Sequence, residues 1–380
     1  MRAIRVLQLI SSTGFYGAER WVLAAVRNFD PERVSSMLAV PEDKGQSLEL
    51  YGHFRSLGLP AFRCPMRGRF DPGIIVQLRR IIKKERIDII HTHGYKSDIL
   101  GFITARLSGS HCVATPHGFD QSDKATGFYV RVSYHVLRRC NCVTPISAGL
   151  VNDVARIGVA PAKTRLILNG VDLSEIDAVK NSPEPARLHA DSMKFLIHIG
   201  RLIEHKNIAA IIRAFDLLWH DRQDVRLLLV GEGPQEKMLR DLSNSLPCGP
   251  GVEFLGYRED RLELLRRAHV VAMASKSEGI PRCLMEAMAM EVPIAAFDVT
   301  GVDRLVLHEK TGLLAPFGDV EALKNRFARV LDHPLLARQL ADNGRRYIEQ
   351  NFSARRMAQE FTDLYFELLE GKGRNLQAAQ

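Results

Sequence analysis

Two short stretches in the second half of the chain combine residue types that could hold a phosphorylated ligand. The first is Glu278-Gly279-Ile280-Pro281-Arg282-Cys283-Leu284-Met285-Glu286, which follows the apolar run His269–Ala274. Proline is tolerated in a first helical turn, so Pro281 predicts a helix start, with Glu278 in the loop ahead and Glu286 on the helix. The amides of Gly279 and Ile280 then lie near the positive end of that helix, where an anion is favoured. Carboxylates accept hydrogen bonds from vicinal hydroxyls, so the two glutamates suit a ligand with sugar hydroxyls on both sides of a diphosphate. The second stretch is Gly200-Arg201-Leu202-Ile203-Glu204-His205-Lys206-Asn207, also behind an apolar run. Arg201 offers a planar fork and Lys206 a mobile point charge, and beside the turn at Gly200 they could clamp a diphosphate. Taken singly, each stretch also reads as solvated charge on a helix or loop. Together they favour the ligand.

In the first half, His117 follows the run Cys112–Thr115 and precedes Gly118. A histidine there is either structural or a group that holds a hydroxyl or developing charge. His91 and His93 are expected to face apart, which argues against both serving one metal. Six cysteines, at 64, 112, 140, 142, 248 and 283, include one close pair, Cys140-x-Cys142. That spacing is too tight for the usual metal motifs, so buried reduced thiols and no metal are expected.

These residues need elements to position them. Strand-like runs alternate with helical periods throughout. In the first half they are Ile4–Ile10, Ser36–Val40, Ile87–His91, Cys112–Thr115, Asn141–Thr144 and Arg165–Leu168, with helices at Glu19–Asn28, Pro72–Arg86 and Ser147–Ile157. In the second half they are Lys194–Ile199, Val225–Val230, Val252–Leu255, His269–Ala274, Pro293–Phe297 and Gly312–Ala315. Helices are expected there at Ile208–Leu218, Gln235–Ser243, Arg261–Arg267, Pro281–Met290 and Val320–Leu331. Apolar runs, rather than clean alternation, indicate parallel strands covered on both faces by helices. The boundary between two similar α/β domains is expected at Asp172–Ser192, where 181–192 is polar, carries two prolines and shows no clear period. The expected division is 1–175, 193–350, and a closing helix and tail over 351–380. Neither glycine loop matches a dinucleotide fingerprint. Thr13 to Glu19 lacks its spacing, and after Gly231-Glu232-Gly233-Pro234, Glu236 stands where a third glycine belongs. No phosphate-binding loop of the Walker type occurs either, which disfavours nicotinamide enzymes and nucleotidases.

The 380 residues are 46% hydrophobic and 25% charged, an ordinary soluble composition. No apolar stretch approaches the roughly 18 residues of a spanning helix, and MRAIRVLQLISSTG lacks a signal-cleavage site. A cytoplasmic location is expected. Residues 1–190 hold 26 Lys and Arg against 17 Asp and Glu, whereas residues 191–380 hold 26 against 27. The positive excess of the first half suggests an anionic membrane surface or an acidic substrate, and no nucleic acid. Over Pro72–Arg86 the apolar residues Ile74, Ile75, Leu78, Ile81 and Ile82 share one helical face, while Arg79, Arg80, Lys83, Lys84 and Arg86 fill much of the rest. Phe128–Arg139 mixes aromatics with further arginines.

Landmarks along nearly the whole chain carry a resemblance. They run from Gly17-Ala18-Glu19, His91-Thr92-His93-Gly94 and Pro116-His117-Gly118 through Ile146-Ser147 and Asn169-Gly170-Val171-Asp172. They continue with Gly200-Arg201-Leu202 and Lys206, Gly231-Glu232-Gly233-Pro234, Phe254-Leu255-Gly256, Glu278 through Glu286, and Thr311-Gly312-Leu313-Leu314. In order and spacing the chain resembles retaining glycosyltransferases of family 4 (glycosyl transferases group 1). The family often has a second glycine where Tyr16 stands, Lys-Gly where this chain has Lys206-Asn207, and Gly-Val-Pro-Glu at Gly301-Val302-Asp303-Arg304.

The resemblance implies an α/β GT-B fold, two Rossmann-like domains facing each other across a cleft. A UDP-, GDP- or ADP-sugar would be the donor and would bind mainly to the second domain, without metal or other cofactor. Arg201 and Lys206 would hold the diphosphate, Glu286 the ribose and Glu278 the sugar. Gly17, Gly200, Tyr257, Gly279, Ile280 and Pro281 would also line the donor site, with Tyr257 and Arg258 bordering the base. His117 would stand near the transferred sugar, and His117, Arg201, Lys206 and Glu278 form the catalytic set. Glu19, His93, Tyr95 and Lys96 fall on the acceptor side. The implied activity is transfer of a sugar to a hydroxyl of a glycan or lipid-linked acceptor, in cell-envelope or exopolysaccharide synthesis. The alternatives are a nucleotide-sugar epimerase of the same fold, a pyridoxal-phosphate phosphorylase (for which no lysine motif is marked), and a non-catalytic nucleotide-sugar-binding subunit.

Overall fold

The computed structural model describes residues 2–11, 14–42, 48–68, 71–118, 127–183 and 193–371. The chain forms two compact units. Unit 1 is Met1–Asp172 together with Ala354–Gln380, and unit 2 is Leu173–Ser353.

Unit 1 is built from β1 (Ile4–Ile10), α1 (Gly17–Asn28), β2 (Val34–Glu42), α2 (Glu49–Ser56), β3 (Ala61–Pro65) and α3 (Gly73–Glu85). It continues with β4 (Ile89–His93), α4 (Tyr95–Ser108), β5 (His111–Thr115), α5 (Gly127–Leu137), β6 (Cys142–Val143) and α6 (Ala148–Arg156). The six strands lie in the order β3-β2-β1-β4-β5-β6, and every pairing is parallel. The central strand β4 is buried along its whole length, as a strand covered on both faces must be.

Unit 2 repeats this plan. It begins with α7 (Leu173–Lys180), β7 (Lys194–Ile199), α8 (Ile208–Asp221), β8 (Val225–Val230), α9 (Glu236–Asn244) and β9 (Val252–Gly256). Then come α10 (Arg261–Arg267), β10 (Val270–Met273), α11 (Arg282–Ala289), β11 (Ile294–Asp298), β12 (Leu313–Pro316), α12 (Val320–Asp332) and α13 (Pro334–Asn351). The order β12-β11-β10-β7-β8-β9 is the same doubly wound arrangement. Each sheet reverses its winding once, at β1/β4 and at β7/β10, and ligands of such sheets bind beyond the carboxyl ends of those strands.

The chain then returns to unit 1 as α14 (Ala354–Leu369). Met357, Phe361, Leu364 and Tyr365 of α14 join Val6, Trp21, Val22 and Leu38 in one core.

Several elements differ from expectation for identifiable reasons. Helix α4 gives no periodic signal because its burial is inverted: Ser97, Asp98 and Thr104 are buried, while Ile103 and Leu107 are exposed. Helix α13 buries a stripe that includes the small residues Ala341 and Gly344, which read as neutral in the sequence. Arg165–Leu168 is not a strand, although Thr164 bridges to Val143 and the Arg165 N–H donates to Val143 O at 3.0 Å. Part of the expected linker is helical, as α7, and residues 184–192 lie outside the described set. All six thiols are free and five are buried.

Phe361 is fully buried, with its ring edge-on to Trp21 at 5.2 Å. Phe361→Ala should therefore cost about 3–5 kcal/mol of unit 1 stability. Urea unfolding followed by Trp21 fluorescence would measure it. A loss under 1 kcal/mol would show that α14 is peripheral to that core.

Candidate active site

At the β7/β10 reversal of unit 2, two loops are laced together. The loop after β7 carries Gly200 to Lys206, and the loop after β10 carries Ser275 to Pro281. Lys276 N–H donates to His205 O at 2.9 Å, His205 Nε2 lies 2.7 Å from Ser277 O, and Lys276 pairs with Glu204 at 2.6 Å. The two residues of most chemical interest also meet: Lys206 Nζ lies 2.5 Å from Glu278 Oε1. Arg201 is exposed and has no partner among the described residues.

Close backbone approaches hold these loops. A Cβ on Gly231, whose φ is +134°, would lie 1.9 Å from Gly200 O, so the loop after β8 can press on Gly200 only with glycine there. A Cβ on Gly301, at φ +90°, would lie 2.1 Å from Glu278 O, and Glu278 N–H donates to Thr300 O at 2.9 Å. Asn207 takes φ 50°, a left-handed conformation that asparagine tolerates better than most residues, so it can stand where the family often has glycine.

The structure corrects the picture of free carboxylates. Glu286, on α11, is buried and already held by two arginines. Arg261 binds it in a fork, Nε to Oε2 at 2.9 Å and Nη2 to Oε1 at 2.8 Å, and Arg282 Nε adds a contact to Oε1 at 2.9 Å. Glu278, too, is an ion-pair partner and not an open acceptor. Pro281 caps α11 from outside its first turn, with Gly279 and Ile280 just ahead. Tyr257 is 41% exposed beyond β9, its N–H 3.4 Å from Glu232 Oε1, whereas Arg258 is tied to Asp260 at 2.6 Å. Nothing in the sequence marked Arg261, because its partner lies 25 residues away.

At the β1/β4 reversal of unit 1, a pocket of about 350 Å³ is lined by residues that include Ile10, Ala18, Glu19, His93, Asp98 and His117. Gly17, placed on the donor side by its motif, is the first residue of α1 in this unit. Glu19 uses Oε2 to accept the Tyr16 N–H at 2.9 Å, capping α1. Tyr95 and Lys96 open α4, and Tyr95 OH donates to Gly118 O at 3.3 Å, steadying the loop of His117.

His91 and His93 do not face apart. Alternate residues of a strand share a face, and their rings lie 4.5 Å apart. His93 Nδ1 is 3.1 Å from His117 Nε2. Asp98, unmarked by the sequence, is fully buried and accepts from Thr92 Oγ1 at 2.6 Å and Ser133 Oγ at 3.3 Å. With no cation paired to it among the described residues, burial pushes its carboxyl up to about 7.

Burial also holds the histidines neutral, with His91 down to about 3, His93 well below the ordinary value, and His117 and His198 down to about 4. In the unfolded chain each titrates near pH 6.5. Between about pH 4 and 6.5 the unfolded state therefore binds protons that the folded state refuses, and stability rises with pH. Asp98 opposes this, since it keeps its proton in the fold above about pH 4, but it is one group against four. Urea midpoints should fall from pH 6.5 to pH 5, by about 1.4 kcal/mol per pH unit for each net proton. A midpoint that rises on acidification would mean that Asp98 dominates.

Comparisons with known proteins place this architecture. The model for glycosyl transferases group 1 matches residues 182–347, and that for Glycosyltransferase Family 4 matches residues 15–175. An Escherichia coli protein, UDP-Gal:alpha-D-GlcNAc-diphosphoundecaprenol alpha-1,3-galactosyltransferase, is 28% identical over 318 residues, covering 80% of this chain and 81% of its own. The N-acetyl-alpha-D-glucosaminyl L-malate synthase of Bacillus anthracis is 24% identical over 309 residues, covering 79% and 80%. Among solved structures, Anabaena Alr3699/HepE in complex with UDP-glucose superposes with a TM-score of 0.79 at 20% identity, over 97% of this chain and 100% of that one. With two family models that between them span both units, two doubly wound sheets and glycosyltransferase relatives along most of its length, the chain belongs to glycosyltransferase family 4 and is a glycosyltransferase of the GT-B fold.

Proposed function

We propose that this enzyme moves a hexose-type unit from a nucleotide-diphosphate sugar to a hydroxyl of a glycan or lipid-linked acceptor, with retention of anomeric configuration. The observation that carries the reading is the Lys206–Glu278 pair at the β7/β10 reversal, beside the unpartnered Arg201. Donor binding divides that pair: the diphosphate takes Lys206 and Arg201, and sugar hydroxyls take Glu278. Both groups then exchange one partner for another, so neither is left buried and unpaired. As the anomeric bond breaks, charge builds on the departing diphosphate. Arg201, Lys206 and the amides ahead of α11 stabilise it in place, with no metal or other cofactor required. Glu286, braced by Arg261 and Arg282, borders the ribose, Tyr257 borders the base, and His117 stands on the sugar side.

Retention through a double displacement needs a carboxylate free to attack the anomeric carbon. With donor bound, Glu278 holds sugar hydroxyls and Glu286 stays with its arginines, which favours a front-face route in which the leaving phosphate takes the acceptor proton. The lipid-linked and polysaccharide acceptor class rests on the relatives, the E. coli galactosyltransferase that acts on a diphosphoundecaprenol among them.

A panel of UDP, GDP and ADP sugars should give thermal stabilisation with one base, and that donor should release nucleoside diphosphate on transfer. Arg201→Ala and Lys206→Ala should each lower kcat/KM by the equivalent of about 1.5–3 kcal/mol. Near-normal rates in both variants would remove the diphosphate assignment.

We further propose peripheral attachment to an anionic membrane through unit 1. Among the described residues no helix is long and apolar enough to cross a membrane. On α3 the apolar residues Ile74, Leu78 and Ile82 are buried in their own unit, which leaves Arg79, Arg80, Lys83, Lys84 and Arg86 exposed. Each basic residue near an anionic leaflet contributes about 1 kcal/mol. The enzyme should float with anionic liposomes at low salt and be released at high salt, and changing Arg79, Arg80, Lys83 and Lys84 to glutamine should weaken flotation. Equal recovery with neutral vesicles, or none with either, would point to an acidic acceptor instead.

A further inference from the structure

Beside the hydrogen-bonded run of side chains that reaches the unit 1 pocket stands a second run, through His91. It is anchored at the carbonyl oxygen of Ala114, which can only accept. Thr144 Oγ1 donates there at 3.3 Å. Thr144 must then accept from Thr115 Oγ1 at 2.5 Å, and Thr115 from His91 Nε2 at 2.7 Å. With its hydrogen on Nε2, neutral His91 accepts at Nδ1 from Tyr365 OH at 2.7 Å. Beside it, Gln8 Nε2 donates to Ser36 Oγ at 3.3 Å.

That turns Gln8 Oε1 toward His93, where it accepts from Nε2 at 2.9 Å. His93 Nδ1 is therefore a bare acceptor, filled by His117 Nε2–H at 3.1 Å. His117 is left with its hydrogen on Nε2 and a lone pair on Nδ1, and Nδ1 finds no partner among the described residues. His117 is half-buried in the pocket wall, while His91, His93, Gln8 and Tyr365 are buried. Burial keeps all three imidazoles neutral, as the assignment requires.

We propose that Gln8 and His93 are positioning residues that fix the tautomer of His117, so that its Nδ1 meets the substrate as a hydrogen-bond acceptor. The group it takes is a hydroxyl of a sugar, which can donate; an ionised phosphate oxygen cannot. The ligand class rests on the sugar-side role of His117 given above, whereas the tautomer rests on hydrogen bonding alone.

Full-length enzyme labelled with 15N at histidine tests this, since long-range proton–nitrogen spectra read which ring nitrogen carries hydrogen. In the wild type His117, His93 and His91 should all be Nε2–H. Gln8→Met, which removes the acceptor, should mix the tautomers of His93 and His117. It should also lower kcat about tenfold, the equivalent of one hydrogen bond, with nucleoside diphosphate affinity unchanged. An Nδ1–H His117 in the wild type, or unmixed tautomers in Gln8→Met, overturns the proposal; if that variant does not fold, the wild-type spectrum decides. The expected spectrum together with an unchanged kcat in His117→Ala would overturn the sugar contact and leave the tautomer standing.

Discussion

In each sheet of this enzyme the winding reverses once, and the crossovers leave two neighbouring strands on opposite sides. That leaves a crevice beyond the carboxyl ends of β1 and β4, and of β7 and β10. Every chemically interesting side chain of the molecule is reached from those four ends or from a loop pressed against them. Gly231 and Gly301 matter for that reason: each lets a neighbouring loop lie against the backbone of Gly200 or Glu278 at a distance no side chain would permit.

Each acid of the unit 2 site is paired before any ligand arrives. Lys206 is matched by Glu278, and Glu286 by Arg261 and Arg282. In partly buried surroundings an unmatched charge would cost several kcal/mol. The resting pairs therefore keep the loops in place, and a ligand that carries both phosphate and hydroxyls is suited to replace them. Unit 1 is arranged differently. There His91, His93 and His117 are neutral, and Trp21 packs against all three.

The strand framework was legible because strands buried on both faces leave uninterrupted apolar runs; β1, β7 and β8 begin and end where the runs do. The site motifs were legible because glycine, proline and charge cluster at strand ends. What stayed hidden was relational. Asp98 and Gln8 look like ordinary helix and strand residues until burial sets them beside Thr92 and His93. Glu286 looked available because its fork partner, Arg261, is remote in the chain. The facing of His91 and His93 could have been read correctly from the two-residue repeat of a strand, since their spacing places both on one side.

The late return of the chain to unit 1 bears on how the protein is made. Tyr365 and Phe361 belong to a core whose other members, such as Val6, Trp21 and Leu38, leave the ribosome some three hundred residues earlier. Until α14 arrives, that core lacks one wall, and unit 2 has been synthesised in the interval. The contact between α1 and α14 is thus among the most distant in sequence that the fold contains, and closing it comes late. During synthesis the nascent first half presents an open apolar face, the kind of surface that chaperones hold and that aggregates when left unattended. His91, beside the pocket histidines, thus gains its Tyr365 partner only when α14 docks.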